Sequence, residues 1–291
     1  MIVLVNNLGS APEEDLKYAC SAIEEYARCI GGTIARMKSG RFVTSVDMDG
    51  LSLTLMRARP DILALMMLRP LPPHGVNEMN TINTQWFAQW MRLCAASLLR
   101  EEENLTELDR QIGDGDHGTN ITRGFTQVEK TLADSEWTSL CEGLTLVAKA
   151  LMTHVGGASG PLYGTGFLRG GRALAQHPDC PASEAIAVLY EAIAEGISQR
   201  GNASAGDKTM LDAWLPAAQI ARESASQGKN VNEVLQDAAH AAQRGAALTE
   251  GMKALKGRAS YLGERSIGHV DPGAVSSAII IMQAARAAAD D

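Results

Sequence analysis

From residue 83 onward, apolar positions recur every three to four residues in one segment after another. "TQWFAQWMRLCAASLLREE" opens the series. The same spacing predicts helices near 118–133, 139–154, 161–176, 182–198, 208–225, 230–248 and 273–289, with short loops rich in Gly, Asp, Ser and Lys between them. The period is that of the helix, with no repeated sequence beneath it, so it does not describe a solenoid. The first 70 residues keep a different rhythm. "IVLVN" is a short apolar run suited to a buried strand, and residues 13–30 carry helical spacing. "GTIAR" and "GLSLTLMRA" read as strands, the second by two-residue alternation. Three strands and one helix make a poor independent core, so this part reads as a piece of a larger sheet. Between the two rhythms, "LRPLPPHGVNEMN" holds three prolines and a glycine and stops any regular element. The chain thus divides into an α/β segment 1–70, a linker 71–82 and a helical domain 83–291.

Composition sharpens this picture. Hydrophobic residues are 45% of the 291 but aromatics only 4%, and the apolar mass is Ala, Leu, Met and Val, which favours a helical body. The net charge of −8 speaks against nucleic acid and against an anionic membrane as partners. A phosphate-bearing ligand would have to be held locally, by a metal or by helix N-termini. The five cysteines form no C-x-x-C pair and are odd in number, which fits a reducing, cytoplasmic compartment. No apolar run approaches ~18 residues, and "MIVLVNNLGS" lacks a basic n-region, so it reads as a strand rather than a signal peptide.

The loops carry the candidate chemistry. "LTELDRQIGDGDHGTN" places Asp109, Asp114 and Asp116 within eight positions. Three hard oxygen ligands suit Mg²⁺ or Ca²⁺. The EF-hand pattern fails, because Gly118 stands at its fifth position and Thr119 at its sixth. An open site remains, with room for water or phosphate oxygens; an acidic, solvated capping loop is the plainer alternative. A helix starting near Gly118 would aim its free N–H groups at these carboxylates, with His117 and Asn120 beside them.

Three further loops sit at helix ends. "HVGGASGPLYGTGF" surrounds Ser159 with Gly156, Gly157 and Gly160, small enough for an anion to approach the backbone or for helices to pack closely. "RGNASAGDKTMLDAW" begins like a phosphate-binding P-loop, but Asp207 intervenes before Lys208-Thr209 and no strand precedes it, so that motif is rejected. It can still cover a nucleotide with Met210, or simply be a helix start capped by Asp207. "KGRASYLGERSIGHVDPGAVSS" offers Arg258 and Arg265 as fork donors for phosphate. Arg265 is expected to pair with a nearby carboxylate instead. Asp271-Pro272-Gly273 reads as a rigid turn opening the last helix.

In order, "LDRQIGDGDHGTN", "GGASGPLYGT", "RGNASAGDKTMLDAW" and "KGRASYLGERSIGHVDPGA" resemble the nucleotide-binding L domain, or L subunit, of dihydroxyacetone kinases, from about residue 83 to the end. "VNNLG" through "GRFVTSVDMDGLSLTL" resembles the C-terminal end of the partner K domain, which binds dihydroxyacetone. The resemblance implies a mainly α fold, an eight-helix antiparallel barrel preceded by a small α/β segment from a truncated K-type domain. It implies ADP or ATP at one end of the barrel, with two Mg²⁺ ions on Asp109, Asp114 and Asp116. It puts nucleotide contacts on His117, Gly118, Thr119, Asn120, Ala158, Ser159, Gly201, Met210, Arg258, Asp271, Pro272 and Gly273. Arg258 would also stabilise charge on the transferring phosphoryl group.

In that family the histidine holding the sugar lies upstream of the "VNNLG" strand, where this chain starts; His74 lies in the linker. The expectation is therefore a kinase component that needs a K-type partner, with dihydroxyacetone or a similar triose as acceptor. Two donor schemes fit: free ATP in a fused K–L chain, toward which the joined K-like segment leans, or bound ADP recharged by a phosphohistidine carrier protein. A homodimer is the oligomeric expectation. The alternative function is a non-catalytic nucleotide-binding or regulatory module that docks on a partner; a flavin-nucleotide-cyclising lyase ranks last.

Overall fold

The computed structural model describes residues 2–7, 12–29, 34, 36–40, 50–56 and 82–289. Residues 71–81 of the expected linker, His74 among them, lie outside the described residues. The chain divides into two compact units, Met1–Glu78 and Met79–Asp291.

In the first unit, β1 (Ile2–Asn7), α1 (Glu13–Cys29), β2 (Arg36–Gly40) and β3 (Leu51–Met56) follow one another. The sheet order is β2-β1-β3, with β1 parallel to β2 and antiparallel to β3. A parallel pair needs a crossover, and α1 supplies it. The strand expected over 32–36 meets the described residues at Arg36, where β2 begins; 32, 33 and 35 lie outside them, and 34 is not in a strand. Val3, Val5 and Leu16 form the buried cluster. The alternation of β3 is present, yet Leu53 and Leu55 are 49% and 56% exposed, so the period describes the strand without burying that face.

The second unit is helical: α2 (Thr84–Arg100), α3 (Glu102–Ile112), α4 (His117–Asp134), α5 (Leu140–His154), α6 (Ser159–Gln176), α7 (Ala182–Gly201), α8 (Leu211–Ser226), α9 (Val231–Leu248) and α10 (Pro272–Ala289). Eight of them form a closed ring, α2-α4-α5-α6-α7-α8-α9-α10 and back to α2, with short α3 packed at one end. Cross-helix contacts show the directions. Thr122 Oγ1 of α4 donates to the Leu98 carbonyl near the end of α2, and Arg123 Nε to that of His154 at the end of α5. Trp86 Nε1 and Trp90 Nε1 of α2 close the ring on the carbonyls of Ala284 and Ile280 of α10, at 3.1 and 2.8 Å. Neighbours are thus antiparallel.

The few aromatic residues are concentrated inside the ring. Trp90, Phe167, Trp214 and Tyr190, from α2, α6, α8 and α7, form a circuit of ring contacts with centroids 5.6–6.5 Å apart. They fill the lumen with large, stiff side chains.

Two expectations are corrected here. The stretch 105–112, read as loop, is the body of α3, so Asp109 rides on a helix; the chain kinks at Glu101, where one long helix was expected. The helix expected from 208 starts at 211, because Lys208 takes φ +60, which no α-helix accommodates.

Candidate functional site

Because directions alternate, α4, α6, α8 and α10 all start at the same rim of the barrel. Their first residues line a cavity of about 460 Å³, joined by the ends of α3 and α7 and by the segment between α9 and α10. At this rim the N-cap residues Asp116, Ala158 and Met210 sit in helical backbone conformation and make no side-chain cap. At the opposite rim Asn83, Ser139 and Asn230 are extended, and each caps its helix through the side chain. An extended N-cap folds its oxygen onto the next amides; a helical one does not. Asp109 Oδ2 takes the His117 N–H, Thr209 Oγ1 the Leu211 N–H and Asp271 Oδ2 the Ala274 N–H, so the cavity faces four positive dipole ends and, at α6, first-turn N–H groups without a side-chain acceptor.

Across from them stand the aspartates. The carboxylates of Asp109, Asp114 and Asp116 each offer an oxygen within 4.8 Å of the others. Asp109 anchors the group: its Oδ2 accepts the N–H of Asp116 at 2.9 Å and of His117 at 3.1 Å. Its Oδ1 lies over Gly113, where a Cβ would come within 2.1 Å, so the turn has no room for a side chain. Gly115 takes φ +74 between the other two aspartates. Arg258, on the 3₁₀ segment Arg258–Ser266, forms an ion pair with Asp114.

Behind this front, His117 is buried, and its Nε2 lies 2.9 Å from Ser276 Oγ. Burial lowers its pKa, against the pull of Asp109 and Asp116. The contact continues to Tyr163, whose hydroxyl is 3.1 Å from Ser276 Oγ and 2.7 Å from Ser277 Oγ, and whose pKa burial raises to about 12. This wall is a chain of hydrogen bonds. Arg123 Nη2 donates to Asn120 Oδ1 at 2.7 Å, which leaves the Asn120 NH₂ as the donor free for the cavity. Asp271 Oδ2 accepts the Ala274 N–H at 2.7 Å and so caps α10; burial, with Asp212 and Asp109 nearby, pushes its carboxyl up to about 7. Leu162, Ile197, Met210 and Leu211 supply an apolar wall of a kind that suits a flat ring.

Of the residues singled out from the sequence, His117, Asn120, Ala158, Ser159, Gly201, Met210, Arg258, Asp271, Pro272, Gly273 and the three aspartates line this cavity. Gly118 and Thr119 do not. Gly118 is pressed against α3, where a Cβ would meet the Glu102 carbonyl at 2.1 Å, and Thr119 is exposed on the far side of its helix. Asp207 does not cap α8: it closes a turn onto the Ser204 N–H, while buried Asp212 accepts the N–H groups of Gly206 and Thr209. Arg265 is exposed and forms no ion pair among the described residues. The sequence reading missed Arg200, Lys208, Thr209 and Lys256, which line the cavity too. Their one signal is position, beside Gly201, Met210 and Arg258. With Arg200, Lys256 and Arg258 the lining carries cations as well as aspartates, although the chain is acidic.

Both parts of the chain are similar to known proteins. Residues 111–286 match the DAK2 domain and residues 1–70 the Dak1 domain. The "PEP-dependent dihydroxyacetone kinase, ADP-binding subunit DhaL" of Escherichia coli K12 is 41% identical over 210 residues, 72% of this chain and 99% of that protein. The "Triokinase/FMN cyclase" of Homo sapiens is 29% identical over 308 residues, 97% of this chain and 53% of that protein. The crystal structure of the dihydroxyacetone kinase from C. freundii in complex with AMP-PNP and Mg²⁺ superposes with a TM-score of 0.54 at 25% identity, over 98% of this chain and 52% of that one. This chain spans about half the length of those last two.

Proposed function

The chain belongs to the dihydroxyacetone kinase family, and from that premise we propose that its barrel is the nucleotide-holding phosphotransferase component of such a kinase. The observation that carries the reading is the meeting, at one cavity, of three convergent carboxylates with the N-terminal ends of four helices, that of α6 open. The donor set is hard oxygen in an open arrangement, which fits Mg²⁺ that keeps positions for phosphate. Asp109, Asp114 and Asp116 would hold two ions. Held there, Mg²⁺ would supply charge neutralisation for the phosphates.

The chain's own residues do the rest. The first-turn N–H groups of α6 and the Asn120 side-chain amide receive the phosphate oxygens. Met210, Leu211 and Leu162 take the base. Arg258 stands beside Asp114 at the mouth, placed to exchange that carboxylate for the transferring group and stabilise its charge. Little covalent work falls to this half; positioning and electrostatics carry the reaction. The acceptor, dihydroxyacetone or a similar triose, comes on a K-type subunit. The relatives named as PEP-dependent or PTS-dependent, ADP-binding subunits, at 38–41% identity, support bound ADP recharged by a phosphohistidine carrier. The Dak1 match on residues 1–70 supports instead the fused arrangement that uses ATP.

Calorimetric titration of ADP and ATP with and without Mg²⁺, on the wild type and on Asp114→Ala, tests the reading. Mg²⁺-dependent binding is expected, weakened by more than about 100-fold in the variant. Binding indifferent to Mg²⁺ and to Asp114 would overturn it. A coupled assay with an added K-type subunit then separates carrier from ATP as donor.

A further inference from the structure

Lys208 is a charged residue with 1% relative exposure, yet no carboxylate touches it. Its Nζ donates to the carbonyls of Thr249 at 2.7 Å, Ser266 at 2.8 Å and Met252 at 3.1 Å, and also to that of His269. All four belong to the excursion 249–271 between α9 and α10. That excursion has no long helix or sheet ladder of its own: it runs through the 3₁₀ turns Thr249–Gly251 and Arg258–Ser266. Its apolar anchorage is slight. Ala254 and Ala259 pack on Ile112, while Leu255, Tyr261 and Ile267 are exposed. Yet this segment carries Arg258 and Asp271 to the cavity.

Irregular backbone leaves carbonyls short of partners, and burying them unpaired is costly; of the four, that of Thr249 also accepts the Met252 N–H. One ammonium, with three N–H donors shared among four oxygens, satisfies them at a single point, much as carbonyls cage a dehydrated monovalent cation. The lysine is itself held for this. It takes φ +60, a conformation disfavoured for a side chain, while the adjacent Thr209 N–H is fixed by Asp212 and the Leu255 N–H donates to the Asp207 carbonyl.

We propose that Lys208 is a positioning residue for phosphoryl transfer, a built-in monovalent cation that gathers the 249–271 segment and sets where Arg258 and Asp271 stand. The proposal rests on the cavity being the nucleotide site; the clip itself does not. Lys208→Ala removes the ammonium and leaves space for a free one. Hydrogen exchange over 249–271 reads the clip without nucleotide, and Mg²⁺–ADP titration reads its consequence. Amides of the segment should exchange at least about tenfold faster with α5 and α7 unchanged, and affinity should fall at least about tenfold. Ammonium chloride should recover both, and tetramethylammonium chloride at equal ionic strength neither. Unchanged exchange would overturn the clip. Faster exchange with wild-type affinity would overturn the positioning role, and equal rescue by both salts the cage. Failure of the wild type to bind Mg²⁺–ADP would instead refute the reading of the cavity, leaving the clip to be judged by exchange. If the alanine variant does not fold, Lys208→Gln, which keeps a small donor head, carries the same measurements.

Discussion

The two rims of the barrel are built from the same helices and differ in how those helices begin. At one rim Asn83, Ser139 and Asn230 fold back onto their own amides, with a full capping box at Asn230 and Glu233. At the other, the N-cap residues Asp116, Ala158 and Met210 make no cap of their own; Asp109 takes the His117 N–H and Thr209 the Leu211 N–H, α6 keeps its start open, and the cavity lies there. At the far rim three of the four starts are capped by the N-cap residue's own side chain, Pro181 of α7 being the exception; at the cavity rim only Asp271 does this, for α10. Helix capping and ligand binding compete for the same N–H groups, and the barrel weights self-capping toward the rim away from the cavity.

The bluntest way to break the contrast is to open the ring. Trp90→Ala removes a lumen-filling indole and its bond to Ile280, and should cost about 3–5 kcal/mol in denaturant unfolding, with both rims failing together. If nucleotide binding survived that loss intact, the rim would not depend on closure. A subtler probe is pH. Asp271 at the open rim has its carboxyl raised to about 7, chiefly by burial. The folded state therefore holds a proton that the unfolded state releases at ordinary carboxylate pH. Stability of the metal-free, nucleotide-free protein should fall as pH rises from about 4 to about 7 and level off above, and Asp271→Asn should flatten that slope in melting curves.

Two crossed substitutions sharpen the comparison further. Ala158→Asp puts a carboxylate among the open amides of α6. It should weaken Mg²⁺–ADP binding about tenfold by like-charge repulsion, while shifting stability by less than about 0.5 kcal/mol. Asn230→Ala should do the reverse, costing about 1 kcal/mol in thermal unfolding with affinity unchanged. If both variants moved both quantities, the rims would not be separate in function.

Much of this rim was legible in the sequence, because its signals are local. Closely spaced aspartates, glycines that permit close approach and a helical period survive without any tertiary structure. What was not legible depends on packing. Asp109 was placed on a loop because the kink at Glu101 hides a second helix behind the first. Gly118 resembles a ligand contact by its neighbours, but its missing Cβ serves the crossing with α3. Lys208 looks like a failed phosphate lysine, since nothing in one dimension shows four carbonyls 41 to 61 residues away converging on it. The aromatic circuit was equally hidden, as Trp90 and Tyr190 meet only once the ring closes. In the first unit the alternation of β3 was read correctly, but whether its apolar face is covered is not a property of the strand itself.

Ring closure also imposes a parity rule. An antiparallel circle closes smoothly only with an even number of members; an odd one would force two parallel neighbours and a connection running the full length of a helix, roughly 27 Å for 18 residues. Gain or loss of one helix would send every later N-terminus to the wrong end and scatter the site. Descendants of this chain can therefore lengthen loops or add a helix outside the ring, as α3 is, but they can change the number of ring helices only in twos.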